Sequence, residues 1–78
     1  MEELIGFVTS NNKSNKILSV LDSKGPMDSA TIAKTTRLVG ADKSIKELVE
    51  KKLLAHEGEK YSLTELGKHV CHAVRGVR

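Results

Sequence analysis

Residues 27–64 decide the fold, and they read MDSATIAKTTRLVGADKSIKELVEKKLLAHEGEKYSLT. Apolar residues recur at helical spacing through the first two thirds of this stretch and alternate with polar residues near its end. The pattern predicts two short helices joined by a turn and followed by a β-hairpin. The remaining residues supply apolar faces that can support this segment.

The second of these helices is amphipathic. It is expected to begin between Leu38 and Asp42 and to end near Lys52, where two lysines suit the negative end of the helix dipole. At about 100° per residue, one side is apolar and the opposite side is charged. The apolar side consists of Ala41, Ile45, Leu48 and Val49, and the opposite side of Lys43, Lys46 and Glu50, with Asp42 and Glu47 beside them. Such a helix packs by one face and offers the other to solvent.

Capping residues and helix-ending residues predict where the elements before this segment begin and end. Residues 1–9 predict a short docking helix, and the polar residues 10–15 contain several good N-caps for the next one. Gly25 followed by Pro26 ends that second helix. Met27 is then expected to be a single extended residue that points into the core. Asp28 is a good N-cap for a helix from Ser29 to about Thr35.

The C-terminal part predicts a hairpin and a last helix. The hairpin turns around Gly58, within residues 56–60, and its buried face is formed by Leu53, Tyr61 and Leu63. Thr64 caps a final helix from Glu65 to about Arg75. The apolar stripe of that helix comprises Leu66, Val70, Ala73 and Val74, with Val77 in line if the helix continues.

These elements predict one domain over residues 1–78. The fold class is mainly α with a small β-hairpin (α+β). The order helix, helix, one extended residue, helix, helix, hairpin, helix is that of a winged helix-turn-helix.

Composition limits the classes of function. The 78 residues carry 13 Lys and Arg against 10 Asp and Glu, a net charge of +3 that permits a nucleic-acid partner without requiring one. The single cysteine suits a reducing setting, and the N-terminus does not look like a signal peptide. No apolar run approaches the length of a membrane span. We therefore expect a cytoplasmic protein that does not contact membranes. A chain this short buries a small core, and we therefore expect a homodimer with the terminal helices at its interface.

Four pieces of the chain, within about residues 4–74, resemble small archaeal winged-helix transcriptional regulators of the ArsR- and MarR-like group. They are NKILSVL with GPM (residues 15–21 and 25–27), SATIAK (29–34), IKELVEKKLL (45–54) and YSLTELG (61–67). Two departures stand out: common members have glycine where Lys52 stands, and the spacing from Ala33 to Ile45 differs from the usual helix-turn-helix register. The resemblance implies DNA binding and transcriptional control. It also implies a recognition helix at about 39–52 in the major groove of double-stranded DNA and a wing at about 53–63.

Side chains on or before the recognition helix are the expected DNA contacts. Arg37, Lys43 and Lys46 can bind guanine or phosphate, and Ser44 can donate to either. Lys34, Thr35 and Thr36 near the turn are expected to position the DNA backbone, and Lys13 and Lys16 further back can add phosphate contacts. His56 and Lys60 on the hairpin tip are expected to contact phosphate or the minor groove.

Other functions remain as alternatives. A winged helix can also serve as a protein–protein adaptor, or bind RNA or left-handed duplexes, although only Phe7 and Tyr61 offer aromatic rings for base stacking. His69, Cys71 and His72 suggest a metal site, but within a helix the thiol points away from both imidazoles and no fourth ligand is evident. We expect no cofactor and no small-molecule substrate. We also expect no enzyme activity, because no nucleophile meets a base and no phosphate loop follows a strand.

Overall fold

The computed structural model describes residues 2–76, with side chains described for residues 3–74. The described residues form five helices and three strands. In chain order they are α1 (Glu2–Ser10), α2 (Asn12–Lys24), β1 (Met27–Asp28), α3 (Ser29–Thr36), α4 (Ala41–Glu50), β2 (Leu54–Glu57), β3 (Lys60–Leu63) and α5 (Glu65–Gly76). Met1 and Val77, which the sequence assigned to the terminal helices, lie outside the described residues.

The fold is α+β, as predicted, with a small antiparallel sheet in the strand order β1-β3-β2. The hairpin pairs Leu54 with Leu63 at one end and Glu57 with Lys60 at the other. The predicted single extended residue, Met27, pairs with Tyr61 and belongs to a third strand of two residues. This third strand ties the start of α3 to the hairpin. No helix within residues 2–76 is both long and apolar enough to cross a membrane.

The apolar stripes predicted for the helices meet in one core. Its buried members include Ile17, Leu18 and Leu21 of α2, Ile32 of α3, Ile45 and Leu48 of α4, and Val70 of α5. Val8 of α1 is also fully buried. Each stripe therefore faces inward, which leaves the opposite sides of α3 and α4 at the surface.

The predicted capping residues occupy the helix ends. The Asn11 side chain accepts a hydrogen bond from the backbone N–H of Ser14 at 3.2 Å and caps α2. Asp28 caps α3 by accepting from the Thr31 N–H at 2.8 Å. Gly25 ends α2, and its N–H donates to the carbonyl of Leu21. Each cap satisfies backbone groups that the helix itself leaves without a partner.

The hairpin differs in register from the prediction. Leu54, not Leu53, is the first residue of β2 and shares a face with Leu63 and Tyr61. The turn is also tighter than predicted, because only Gly58 and Glu59 separate the paired residues. Gly58 has φ +62° and Glu59 is not among the residues with positive φ, which is the pattern of a type II′ turn.

Leu53 is instead part of the turn that ends α4. Its N–H donates to the Leu48 carbonyl at 2.9 Å, and the Lys52 N–H donates to the Val49 carbonyl at 3.0 Å. These two bonds form a Schellman motif, in which the residue after the helix adopts a left-handed conformation. Here that residue is Lys52, with φ +64°. The motif buries Leu53 completely and starts β2 at once.

The start of α5 is fixed to the same turn. The Thr64 hydroxyl donates to the Lys52 carbonyl at 2.7 Å and accepts from the N–H of Gly67 at 2.9 Å. The Thr64 N–H donates to the Leu53 carbonyl at 3.2 Å. A Cβ at Gly67 would overlap that same carbonyl oxygen. The Thr-x-x-Gly sequence therefore allows the α5 backbone to lie directly against the end of α4.

Replacing Lys52 with glycine is expected to stabilise the domain by about 0.5–1 kcal/mol. Glycine avoids the steric cost of positive φ, and its greater freedom in the unfolded chain offsets part of the gain. Urea unfolding measures the change. Lys52→Ala is the matched control, because it removes the same charge but keeps a Cβ, and Lys52→Gly should be the more stable of the two. The reverse order would show that the left-handed conformation carries no cost here.

Gly67→Ala is expected to destabilise the domain by about 1–3 kcal/mol, because the added methyl group overlaps the Leu53 carbonyl and forces the backbones apart. Gly6→Ala in α1 is the control, since nothing lies within 4 Å of a Cβ there. The control should gain about 0.5–1 kcal/mol from the better helix propensity of alanine. In thermal unfolding, a loss of stability for Gly67→Ala with a gain for Gly6→Ala supports the close approach of α5 to the Leu53 carbonyl. A gain of stability for both variants would contradict it.

Candidate nucleic-acid interface

The outer face of α4 carries the lysines predicted to contact DNA. Lys43 and Lys46 are exposed, whereas Ile45 between them is 1% exposed and Leu48 is completely buried. Ser44 is half-buried at the edge of the exposed face. Because the inner face is held by the core, the two ammonium groups extend from a supported helix into solvent. The acidic residues of this helix, Asp42, Glu47 and Glu50, are exposed or half-buried beside them.

The helix is shorter than the predicted 39–52, since it runs from Ala41 to Glu50. Gly40, with φ +74°, is its N-cap and supplies no side-chain hydrogen bond. Arg37 ends α3 in a left-handed conformation at φ +57°, and its side chain is exposed. The turn between the two helices, residues 37–40, therefore contains two left-handed residues, one at each end.

A long-range hydrogen bond fixes that turn. Lys13 at the start of α2 donates from Nζ to the carbonyl oxygen of Val39 at 2.9 Å. Lys13 was predicted as a phosphate contact. Its ammonium group instead holds the backbone just before α4, and it still adds positive charge there.

The residues predicted at the end of α3 have different environments. Lys34 and Thr35 are exposed. Thr36 is only 7% exposed, and its hydroxyl donates to the Ile32 carbonyl at 2.7 Å. We therefore withdraw Thr36 as a DNA contact, because its side chain faces inward and its hydroxyl proton is already used. Thr35 and Lys16 line an open cleft of about 410 Å³ between α2, α3 and α5.

A second groove separates α4 from the hairpin. It has a volume of about 450 Å³, and its walls include Lys46 and Val49 on one side and His56 and Tyr61 on the other. The two rings are stacked, with centroids 4.4 Å apart and planes 7° from parallel. The groove therefore brings the predicted residues Lys46 and His56 to opposite walls of one open channel. His56 lies on strand β2 and not at the hairpin tip, where the sequence had placed it.

The tip of the hairpin carries more acidic than basic side chains. Lys60 is exposed there, but Glu57 and Glu59 are exposed beside it. Asp28 is opposite Lys60 in the register of β1 and β3. A tip with more carboxylates than ammonium groups repels phosphate, so Lys60 is a weaker candidate than Lys43 or Lys46.

The residues considered for a metal site do not converge. Cys71 is buried at 1% exposure, whereas His69 and His72 are exposed on α5. His72 Nε2 lies 3.5 Å from a carboxylate oxygen of Asp22. Within the part of the chain that the structure describes, no group of three or more His, Cys, Asp or Glu side chains is arranged to hold a metal ion.

Comparison of the chain with protein-family models, with curated proteins and with solved structures found no match. The function is therefore inferred from the residues and geometry of this chain alone.

Asp28 gives the domain a specific dependence on pH. Hydrogen bonds from Thr31, first from its side chain and then from its N–H, hold the pKa of Asp28 below its usual value, and Lys60 acts in the same direction. A lowered folded-state pKa means that the carboxylate stabilises the fold above its unfolded-state pKa of about 3.9. That stabilisation is lost as the pH falls through the folded-state pKa.

Thermal unfolding of Asp28→Asn between about pH 7 and pH 2 tests this dependence, because asparagine caps a helix without ionising. The wild type should lose more stability than the variant on acidification below about pH 4. Asp28→Ala should be less stable than both at neutral pH. Identical acid profiles for the wild type and Asp28→Asn would exclude the carboxylate as the cause.

Proposed function

We propose that this protein is a winged helix-turn-helix domain that binds double-stranded DNA and regulates transcription. The observation that carries the proposal is the division of α4 into a buried apolar face and an exposed face with Lys43 and Lys46. In the proposed complex, α4 lies in the major groove and the hairpin β2–β3 acts as the wing.

The arrangement of elements supports this assignment. Helices α3 and α4 are joined by a short turn, and α4 is followed directly by the hairpin, whose strand β3 pairs with β1 ahead of α3. An α-helix with its side chains is about 10–12 Å across, and the major groove is about 12 Å wide, so α4 can enter the groove by its outer face.

The proposed contacts fall into two groups. Near the N-terminal part of α4, where helices of this type reach base edges, Arg37, Lys43 and Ser44 are the candidates. Lys34, Thr35, Lys46, His56 and Lys60 are candidates for the DNA backbone. Glu50 on the outer face repels phosphate, so the C-terminal end of α4 should lie further from the DNA than its start.

The partner is duplex DNA and not unpaired RNA. Base stacking on single strands needs open aromatic faces. Phe7 lies under the ammonium group of Lys51, with Nζ 4.6 Å from the ring centroid, and Tyr61 is stacked on His56. The phenylalanine and the tyrosine therefore each have one ring face in contact with another side chain.

A homodimer in the cytoplasm would suit this function. Two copies related by a twofold axis read half-sites about one helical turn, or about 34 Å, apart. We propose the terminal helices as the interface, because α1 and α5 pack against each other and neither carries a residue of the proposed DNA contacts. If light scattering finds only monomer at high protein concentration, the proposed dimer is overturned, and the proposed DNA binding is not affected.

Charge reversal on α4 tests the function. Lys43→Glu with Lys46→Glu should weaken binding to a mixed-sequence duplex by at least about tenfold. The slope of log affinity against log salt should fall by about 0.9 for each phosphate contact removed. Mobility-shift titrations at two salt concentrations measure both quantities.

Lys24→Glu with Lys68→Glu is the matched control, because both lysines are exposed and lie on α2 and α5, outside the proposed surface. It makes the same change in net charge and should bind more tightly than the α4 variant. Equal losses for the two double variants, with both still folded and with the oligomeric state of the wild type, would contradict the assigned surface. Absence of salt-dependent DNA binding by the wild type would favour a protein–protein adaptor instead.

A further inference from the structure

Val39 is unusual among the apolar residues. In the part of the chain that the structure describes, it is the only large apolar residue in the exposed class, with 87% of its surface accessible. Single exposed apolar residues are common on protein surfaces, so exposure alone says little. Its position and surroundings decide whether the exposure has a use.

The backbone at Val39 is held in place. Lys13 donates to its carbonyl oxygen at 2.9 Å. On one side of it, the Arg37 N–H donates to the Ala33 carbonyl at 2.9 Å, and on the other the Lys43 N–H donates to the Gly40 carbonyl at 3.2 Å. The isopropyl group is therefore presented from a fixed turn, and a contact with it orders little additional chain.

Cationic residues lie close to this apolar residue along the chain. Arg37 and Lys43 are exposed on either side of it in the sequence, and Lys13 is bonded to its own carbonyl. A single side chain is too small to form a protein interface, and the nearby positive charge favours a polyanion. The complementary partner is an apolar group carried within a polyanion. In the major groove of DNA, the C5 methyl group of thymine is such a group.

We propose that Val39 contacts the C5 methyl group of thymine and makes the protein prefer A·T base pairs at the start of α4, an inference that rests on the DNA-binding function proposed above. Val39 lies two residues before α4, next to the end of the helix from which base edges are usually read. Arg37 and Lys43 hold the DNA by charge, and Val39 distinguishes the base.

The probe is a duplex of about 20 base pairs with alternating dA and dT, compared with the same duplex containing dU in place of dT. The two differ only in the C5 methyl groups, and the alternation puts a thymine near Val39 in any register. Fluorescence anisotropy measures both affinities. The wild type should bind the thymine duplex about fourfold more tightly, the value expected for removing one methyl group from water.

Two variants assign that preference to Val39. Val39→Ser should bind both duplexes with nearly equal affinity, close to that of the wild type for the uracil duplex. Val39→Ile should keep a preference for thymine, because it retains an apolar side chain at the same place. The exposure of Val39 means that neither change disturbs the core.

The outcomes separate this inference from the proposed function. Salt-dependent binding with equal wild-type affinity for both duplexes overturns the contact with thymine and leaves DNA binding intact. A thymine preference that persists in Val39→Ser also overturns it, because another residue would then read the methyl group. Absence of binding to either duplex overturns the inference, and absence of binding to a mixed-sequence duplex as well overturns the function with it.

Discussion

The close approach of α5 to the end of α4 is the constraint on which this structure depends. Gly67 has no side chain where the Leu53 carbonyl lies, and Thr64 bonds to the carbonyls of both Lys52 and Leu53. These contacts connect the turn that ends α4, the residue just before the hairpin and the start of α5 in one place. The direction of α4 is therefore set by backbone contacts at its end and by its buried apolar face.

A supported α4 explains how a small domain can present charge in a defined geometry. Lysine side chains on a loose segment lose conformational freedom on binding, and this loss reduces affinity. On α4 the backbone is already ordered, because Ile45 and Leu48 are buried and Lys13 fixes the turn before it. The hairpin packs on the same core, and Lys46 and His56 both line the groove between α4 and the hairpin.

The sequence predicted those features that depend on local rules. The caps at Asp28 and Gly25, the stripe of Ile45 and Leu48, and the turn at Gly58 follow from residue preferences within a few positions, and the structure contains each of them. The third strand was predicted only as one extended residue, because its partner Tyr61 is distant in sequence.

The site residues were harder to predict, for a related reason. The prediction for Thr36 came from its neighbours in the sequence, which favour a turn. In the structure, Thr36 lies beside the core and is buried, and its hydroxyl donates to the Ile32 carbonyl. The bond from Lys13 to Val39 joins residues that only the tertiary fold brings together, and the stack of His56 on Tyr61 depends on the exact register of the hairpin. Periodicity assigned the exposed face of α4 correctly, but the left-handed conformations of Arg37 and Gly40 set where that helix begins.

The most direct measurement is a titration of the ¹⁵N-labelled protein with a short mixed-sequence DNA duplex, followed by amide chemical shifts. If α4 enters the major groove, the largest shifts should map to the turn at residues 37–40, the outer face of α4 and the residues around His56, while the exposed face of α5 changes little. Shifts confined to α1 and α5, or no shifts at all at low salt, would contradict the central claim that the lysine-bearing face of α4 binds DNA.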